Sequence, residues 1–392
     1  MKGLFYLAWR YVCFHRWRSA ILVVCLTLTF FLPASIHFLV GNFEASLWKR
    51  SEETPLVVGA KGSRFDLVLN ALYFRARTPD SISLAEMNEV SETGLGLVVP
   101  IHSEFRARKH PIVGTTMEYF ERRGLRVAEG RSLIHLGECV VGARMAAKLG
   151  LKVGDALMSD PENVFNLAGE YPLKMSLVGI LGPSDSADDD AVFVDLKTAW
   201  IVAGIGHGHT DLQAPENEEA ILRREENNIV ANAALIPYLE VTPENRDSFH
   251  FHAKPEERPL TALLVFPRDT KSGTILRGRY QGPESSLQVL RPNEVVREMM
   301  STVSQVKQFL NLNFVVVAVI AGLFLVLVVL LSLRLRDKEM ETLFLLGCRR
   351  GTVFSLIAME LGLVLVGSLL AAVCLCWMTY SAFELWLARI LV

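Results

Sequence analysis

The sequence predicts a membrane protein, an α-helical transmembrane bundle of three spans with a large α+β extracytoplasmic domain inserted between spans 1 and 2. Three observations predict it. First, Ser19–Val40, Phe314–Leu333 and Leu361–Phe383 contain no Asp, Glu, Lys or Arg. Each is long enough to cross a hydrocarbon core of about 30 Å as a helix rising about 1.5 Å per residue. Second, the segment between the first two stretches mixes charged, polar and apolar residues and is long enough to bury a core of its own. Third, Lys2, Arg10, Arg16 and Arg18 precede the first stretch, while Arg334, Arg336, Lys338, Arg349 and Arg350 lie between the second and third. Basic residues are retained on the cytoplasmic side, so both clusters are expected inside.

In order along the chain, residues 1–18 read as a cytoplasmic N-terminus and 19–40 as the first span. The external domain is expected over 41–311, followed by a second span at 312–333 and a cytoplasmic helix and turn at 334–350. A third span at 351–383 and a short tail at 384–392 complete the reading. A secretory signal peptide is the alternative for the first apolar stretch. Its apolar run exceeds the usual 7–15 residues, however, and no small-x-small cleavage pattern follows Phe43. Pro33 inside the span is tolerable where neighbouring helices re-satisfy the freed carbonyl.

Within the external domain, helix continues from the first span into a strand at Pro55–Ala60 and a helix at Phe65–Phe74. Ser83 followed three residues later by Glu86 reads as a capping box that starts a helix over Ser83–Glu92. Gly96–Glu104 is apolar and extended. Pro111–Lys197 is strand-rich, with strands at Met175–Leu181 and Ala191–Val194 and a helix at Ala143–Leu149. The polar run Ile205–Asn228 reads as an exposed loop or insertion. Order returns at Leu235–Thr242, a strand at Leu260–Phe266, a helix at Thr270–Tyr280 and a strand at Ser286–Leu290. Asn293–Leu310 is helical in pattern and continues into the second span. Two subdomains are expected, one from residues 44–100 with 230–300 and one from about 101–205.

Two His pairs carry metal-ligating potential. His207 and His209 lie in G-H-G-H-T-D with Asp211, and His250 and His252 alternate in F-H-F-H. Alternate residues of a strand share one face, and imidazole and carboxylate are Zn²⁺ ligands. The plain alternative is a pair of short His-containing loops. Asp185–Asp190 (D-S-A-D-D-D) lacks the Gly and terminal Glu of an EF-hand and reads as a solvated loop.

Of six cysteines only Cys139 falls in the external domain, in an apolar strand where an inert thiol is expected. Cys374 and Cys376 read as packing residues. A net charge of −2 gives no reason to expect nucleic acid as a partner. No nucleophile constellation stands out, so no catalytic residue is assigned. No G-x-x-x-x-G-K-[ST] occurs, so no nucleotide cofactor is expected in this chain through a P-loop.

Arg336–Leu346 (R-D-K-E-M-E-T-L-F-L-L) places its apolar residues on one helical face, and Gly347 supplies a break before Arg349 and Arg350. An interfacial anchor is the plain reading of such a helix. The longer run R-D-K-E-M-E-T-L-F-L-L-G-C-R-R-G-T-V-F-S-L-I-A-M-E resembles the coupling helix and start of the next span in MacB/FtsX-type (type VII) ABC transporter permeases, which include LolC and LolE. Arg336, Glu339, Leu343, Gly347 and Glu360 match that pattern. L-A-W-R-Y-V-C-F-H-R-W-R-S-A is similar to the family's basic lead-in to the first span. The stretches I-V-G-T-T-M-E-Y-F, E-G-R-S-L and G-E-C-V-V-G-A-R-M-A-A-K-L-G-L-K-V-G-D resemble its MacB-like periplasmic core domain. Together the matches cover the start, much of the middle and the last part of the chain.

The resemblance implies a permease subunit in the bacterial inner membrane with its large domain periplasmic. It implies a separate cytoplasmic ABC ATPase docked on Arg336, Glu339, Met340, Leu343, Phe344 and Gly347, so that the chain is not itself an enzyme. It also implies a permease homodimer among membrane lipids and a periplasmic partner protein. Motion would cross the membrane by mechanotransmission to act on an envelope substrate; with the His pairs, metal handling is a further expectation. The alternative is an FtsX-like regulatory scaffold that drives an external hydrolase. The family's fourth span has no counterpart in Glu384–Val392, which is too short to cross a bilayer, and this leaves the family's outer-helix dimer contacts unassigned.

Overall fold

The computed structural model describes residues 2–75, 78–160, 172–209, 221–225, 228–231, 238–335, 341–342, 345, 347 and 350–390. They form two compact units, a helical one from residues 1–45 and 300–389 and an α+β one from residues 46–299.

The chain opens with α1 (Lys2–Phe14) and α2 (Arg16–Glu52), then β1 (Leu56–Ala60), α3 (Arg64–Tyr73), β2 (Ile82–Ser83), α4 (Leu84–Glu92) and β3 (Gly96–Ile101). The strand-rich middle follows as β4 (Arg106–Ala107), β5 (His110–Thr115), α5 (Met117–Arg123), β6 (Val127–Gly130), β7 (Glu138–Val141), α6 (Ala143–Leu149), β8 (Ala156–Met158), β9 (Lys174–Leu181), β10 (Val192–Asp195) and α7 (Leu196–Val202). Next come β11 (Gly206–Gly208), β12 (Ile221–Glu225), β13 (Asn228–Ala231), β14 (Phe249–Phe251), β15 (Pro259–Leu260), β16 (Ala262–Pro267), α8 (Thr270–Arg279), β17 (Leu287–Leu290), α9 (Pro292–Leu335) and α10 (Arg350–Ile390).

Local chemistry explains where many of these elements start and stop. Ser83 caps α4 reciprocally, its hydroxyl accepting from the Glu86 N–H while the Glu86 carboxylate accepts from the Ser83 N–H. Asp195 caps α7 and Asp269 caps α8 one-sidedly, each carboxylate accepting from a first-turn N–H, of Thr198 and Ser272 respectively. Gly124 and Gly150 end α5 and α6 in the left-handed conformation, where a Cβ would be strained. Pro292 sits at the start of α9, where its missing N–H costs no helical hydrogen bond.

Two sheets organise the α+β unit. The first has the order β17-β1-β16-β3, antiparallel throughout, so strands from both ends of the domain's sequence lie side by side. Its core contains Leu56, Val58, Leu263, Val265, Leu276, Leu287 and Val289. Val57 and Leu264, neighbours in register and of opposite parity to those residues, are also fully buried, so the sheet is covered on both faces. The second sheet is mixed, with the order β4-β5-β10-β7-β9-β6 and β8 paired to β9. Cys139, Val141, Met145, Leu157, Met175, Leu177, Val192 and Val194 fill its core. A bridge between His102 and Gly114, with both backbone hydrogen bonds made, joins the two sheets.

Two stretches differ from expectation. The described part of 205–228 is not loop alone: it holds β11, paired antiparallel with β14, and β12, paired with β13. Gly-His-Gly looks polar by composition, but its apolar covering comes from the partner strand. A Cβ on Gly206 would lie 2.6 Å from the Phe251 ring and one on Gly208 2.7 Å from that of Phe249. The acidic run is not solvated either. Ala187–Asp190 is a 3₁₀ turn, and Asp188 and Asp189 are 2% and 3% exposed.

In the helical unit, Leu22, Leu26 and Val364 form a buried cluster flanked by Val12, Val23, Leu325 and Val328. Among the described residues, three helices are long and apolar enough to cross a membrane by length and composition, over Arg16–Glu52, Pro292–Leu331 and Gly351–Thr379. The middle one leaves Val315, Val319, Leu323, Leu327 and Leu330 exposed, as a lipid-facing helix would.

Candidate functional site

The last turn of α2 carries Lys49 and Arg50, cations placed where the helix dipole favours them. Arg50 is buried and uses both arms of its guanidinium on one carboxylate. Nη1 donates to Asp188 Oδ2 at 2.7 Å and Nη2 to Asp188 Oδ1 at 2.8 Å. The Tyr119 hydroxyl donates to Asp188 Oδ1 at 2.7 Å and accepts from Arg50 Nη2 at 2.8 Å. Ser186 Oγ accepts from Nη1 and donates to Asp188 Oδ2. Beside them, Arg123 donates to Thr54 Oγ1 at 2.7 Å and lies 3.6 Å from Glu53. Tyr73 donates to the Leu47 carbonyl at 2.6 Å, so the helix end is held at several points.

Electrostatics favour the ionised pair. Burial pushes the Asp188 carboxyl up, but the charge and hydrogen bonds of Arg50 and the Tyr119 hydroxyl outweigh it and hold the carboxyl below its usual range. Burial opposes the Arg50 charge too, and Tyr119 and Asp188 reverse that effect, leaving Arg50 firmly cationic. The Tyr119 hydroxyl is pushed up, chiefly by burial, and stays a donor. No group here is poised as a nucleophile or acid. The arrangement instead ties the end of a long helix to the connection between β9 and β10.

The first turns of α9 are tied down as well. Val295 and Val296 are buried, Glu294 meets Arg277 at 3.0 Å, Glu298 meets Arg64 at 3.0 Å, and the Arg297 guanidinium lies over the Trp48 ring. The two ion pairs are substantially exposed and individually weak. Within the helical unit, Lys307 pairs with Glu44 at 3.3 Å, and Glu360, buried, accepts from Arg18 Nη2. Glu360 is thus an interhelical partner. The expected ATPase-docking residues Arg336, Glu339, Met340, Leu343 and Phe344 lie outside the described residues. Gly347 is described: it is exposed with φ +87°, a conformation glycine adopts without strain.

The four histidines expected as metal ligands come together on one face of the β11–β14 ladder. His207 and His250 are register partners, and the His207 ring lies 5.7 Å from His209, 4.9 Å from His250 and 4.7 Å from His252 between centroids. His209 and His252 are each 4.9 Å from His250. Phe249 and Phe251 take the alternate positions and pack into the core. Asp211 lies outside the described residues.

Sequence reasoning missed Arg50, Tyr119 and Asp188. The available signal was a basic pair at the end of a long helix and a run of acids richer than a turn needs. Cys139 is buried and its thiol is pushed up to about 12, mainly by burial, so it is unreactive.

Residues 45–234 match the MacB-like periplasmic core domain family. Among solved structures, the periplasmic region of MacB from Actinobacillus actinomycetemcomitans is similar at 10% identity, covering 65% of this chain and 97% of that one with a TM-score of 0.35. The extracellular domain of the noncanonic ABC-type transporter YknZ from Gram-positive bacteria is similar at 10% identity, covering 60% and 98% with a TM-score of 0.33. A search of curated proteins finds no match. The family match falls on the α+β unit, and the helices long and apolar enough to cross a membrane lie before and after it in the sequence. Residues 45–234 of this chain thus form a MacB-like periplasmic core domain.

Proposed function

We propose that this chain is the permease subunit of a MacB-type ABC transporter and works by mechanotransmission on an envelope substrate, as one half of a homodimer in a bacterial inner membrane. The N-terminus is cytoplasmic and the α+β domain periplasmic. A separate cytoplasmic ATPase docks on the segment Arg336–Gly347, with Glu339 and Arg336 making charged contacts and Leu343 and Phe344 packing into a groove. Closure of the ATPase pair moves the docking helices, and stiff helices carry that motion outward.

One observation carries the reading: α2 and α9 are each unbroken from their apolar stretches to residues anchored in the α+β domain, through Arg50 in the one and Val295 and Val296 in the other. A continuous helix passes on axial displacement because its hydrogen bonds run along the axis. No Asp, Glu, Lys or Arg interrupts the three apolar stretches, which favours force transfer over a hydrated ion path. Leu343→Asp tests the docking role. It is expected to abolish stimulation of the co-purified ATPase while the α+β domain keeps its thermal unfolding midpoint. Undiminished complex formation and stimulation would overturn the docking role.

A further inference from the structure

We infer that the histidine face of the β11–β14 ladder is a binding site for a divalent transition metal ion, with Zn²⁺ the best-matched ligand. The site goes beyond the force-transmission reading and stands or falls separately from it. Three of the imidazoles, those of His207, His209 and His250, each offer one nitrogen such that all three lie within 4.8 Å of one another. His252 adds a fourth, its Nε2 being 3.5 Å from His207 Nε2. Two ligands of a tetrahedral ion with Zn–N bonds of about 2.0–2.1 Å stand about 3.3 Å apart, so this pair is nearly at the required separation. Binding requires the His209 and His250 imidazoles, whose nitrogens lie within 4.8 Å of that of His207, to turn toward the same point.

Two features indicate a built site. The Nδ1 of His250 lies 3.1 Å from the Ser248 carbonyl. A carbonyl oxygen only accepts, so Nδ1 carries the proton and Nε2 presents its lone pair, the outer hydrogen bond that orients a metal-bound imidazole. The backbone is also committed to the arrangement. Gly206 and Gly208 leave the room that the Phe251 and Phe249 rings fill on the opposite face, and this holds His207 and His209 together on the open one. Four neutral nitrogen ligands suit Zn²⁺, Cu²⁺ or Ni²⁺ and poorly suit Mg²⁺ or Ca²⁺, which take oxygen. His252 is exposed while the other three are half-buried, so it is the ligand best placed to exchange with water or with an incoming donor.

The test uses the full chain in detergent, purified without a polyhistidine tag and stripped with chelator. Titration with Zn²⁺ should show one ion per chain, unaffected by excess Mg²⁺ or Ca²⁺. Co²⁺ loaded into the site should give the intense visible bands of a tetrahedral nitrogen-ligated ion. His207→Ala with His250→Ala should weaken Zn²⁺ binding by at least about a hundredfold and abolish the bands. His252→Ala, at an exposed position, should weaken binding by about tenfold with the fold intact. Absence of stoichiometric Zn²⁺ binding by the wild-type chain would overturn the site. So would binding that His252→Ala and the double variant leave unchanged. Neither result bears on the ATPase stimulation that tests the docking helix.

Discussion

The α+β domain holds two polar clusters built on opposite principles. Around Arg50, a cation, an anion, a phenol and a serine hydroxyl meet out of water, and the Asp188 carboxylate is fully engaged by Arg50, Tyr119 and Ser186. On the β11–β14 ladder, four groups of one kind share a half-open face. Complementary charges that satisfy one another make a joint, whereas identical donors gathered without an opposite charge among them make a receptor. Under the function and the metal site proposed above, the first cluster serves force transfer and the second ligand chemistry, although both use common polar side chains.

The largest expected effect that would break this contrast is Asp188→Ala. Removing the anion strands a buried guanidinium, which costs about 3–5 kcal/mol, read as an earlier unfolding transition and lost hydrogen-exchange protection at the end of α2. A cost below about 1 kcal/mol would mean that Arg50 finds water or another partner and that no joint exists.

Acid separates the joint from its surroundings. His102 is buried at the junction of the two sheets, and burial lowers its pKa to about 4 from 6.5. The neutral form is favoured in the folded state, so its contribution is fully present above pH 6.5 and is lost as pH falls from 6.5 to about 4, a change of about 3 kcal/mol. Asp188, with its carboxyl held below the usual range, keeps its contribution until still lower pH. Unfolding midpoints measured from pH 7 to 4 should therefore fall in wild type and fall less in His102→Gln. Equal slopes would remove His102 as the acid-sensitive group.

A smaller effect is expected at Gly208→Val, whose Cβ would meet the Phe249 ring. Displacing that ring should cost about 1–3 kcal/mol and loosen the histidine face, lowering Zn²⁺ affinity without touching a ligand. Unchanged affinity would show that the ladder does not hold the imidazoles in place.

Much of the local structure was legible. The capping box at Ser83 and Glu86, the helix Ala143–Leu149 and the strands around Met175 and Val192 follow from caps and period-two patterns acting over a few residues. The errors lay where character is borrowed from a distant partner. Asp188 reads as a solvent residue until Arg50 is brought against it, and Gly-His-Gly reads as loop until Phe249 and Phe251 cover it.

By itself, the sequence determined three apolar stretches, many of the elements between them and the alternation that puts His250 and His252 on one face of a strand, because hydropathy and side-chain periodicity are properties of neighbouring residues. Only the tertiary structure decided that Arg50 closes on Asp188 and that His207 faces His250. Those pairings depend on strand register and on which buried charge finds its counterpart, and both are set by packing between segments far apart in the chain.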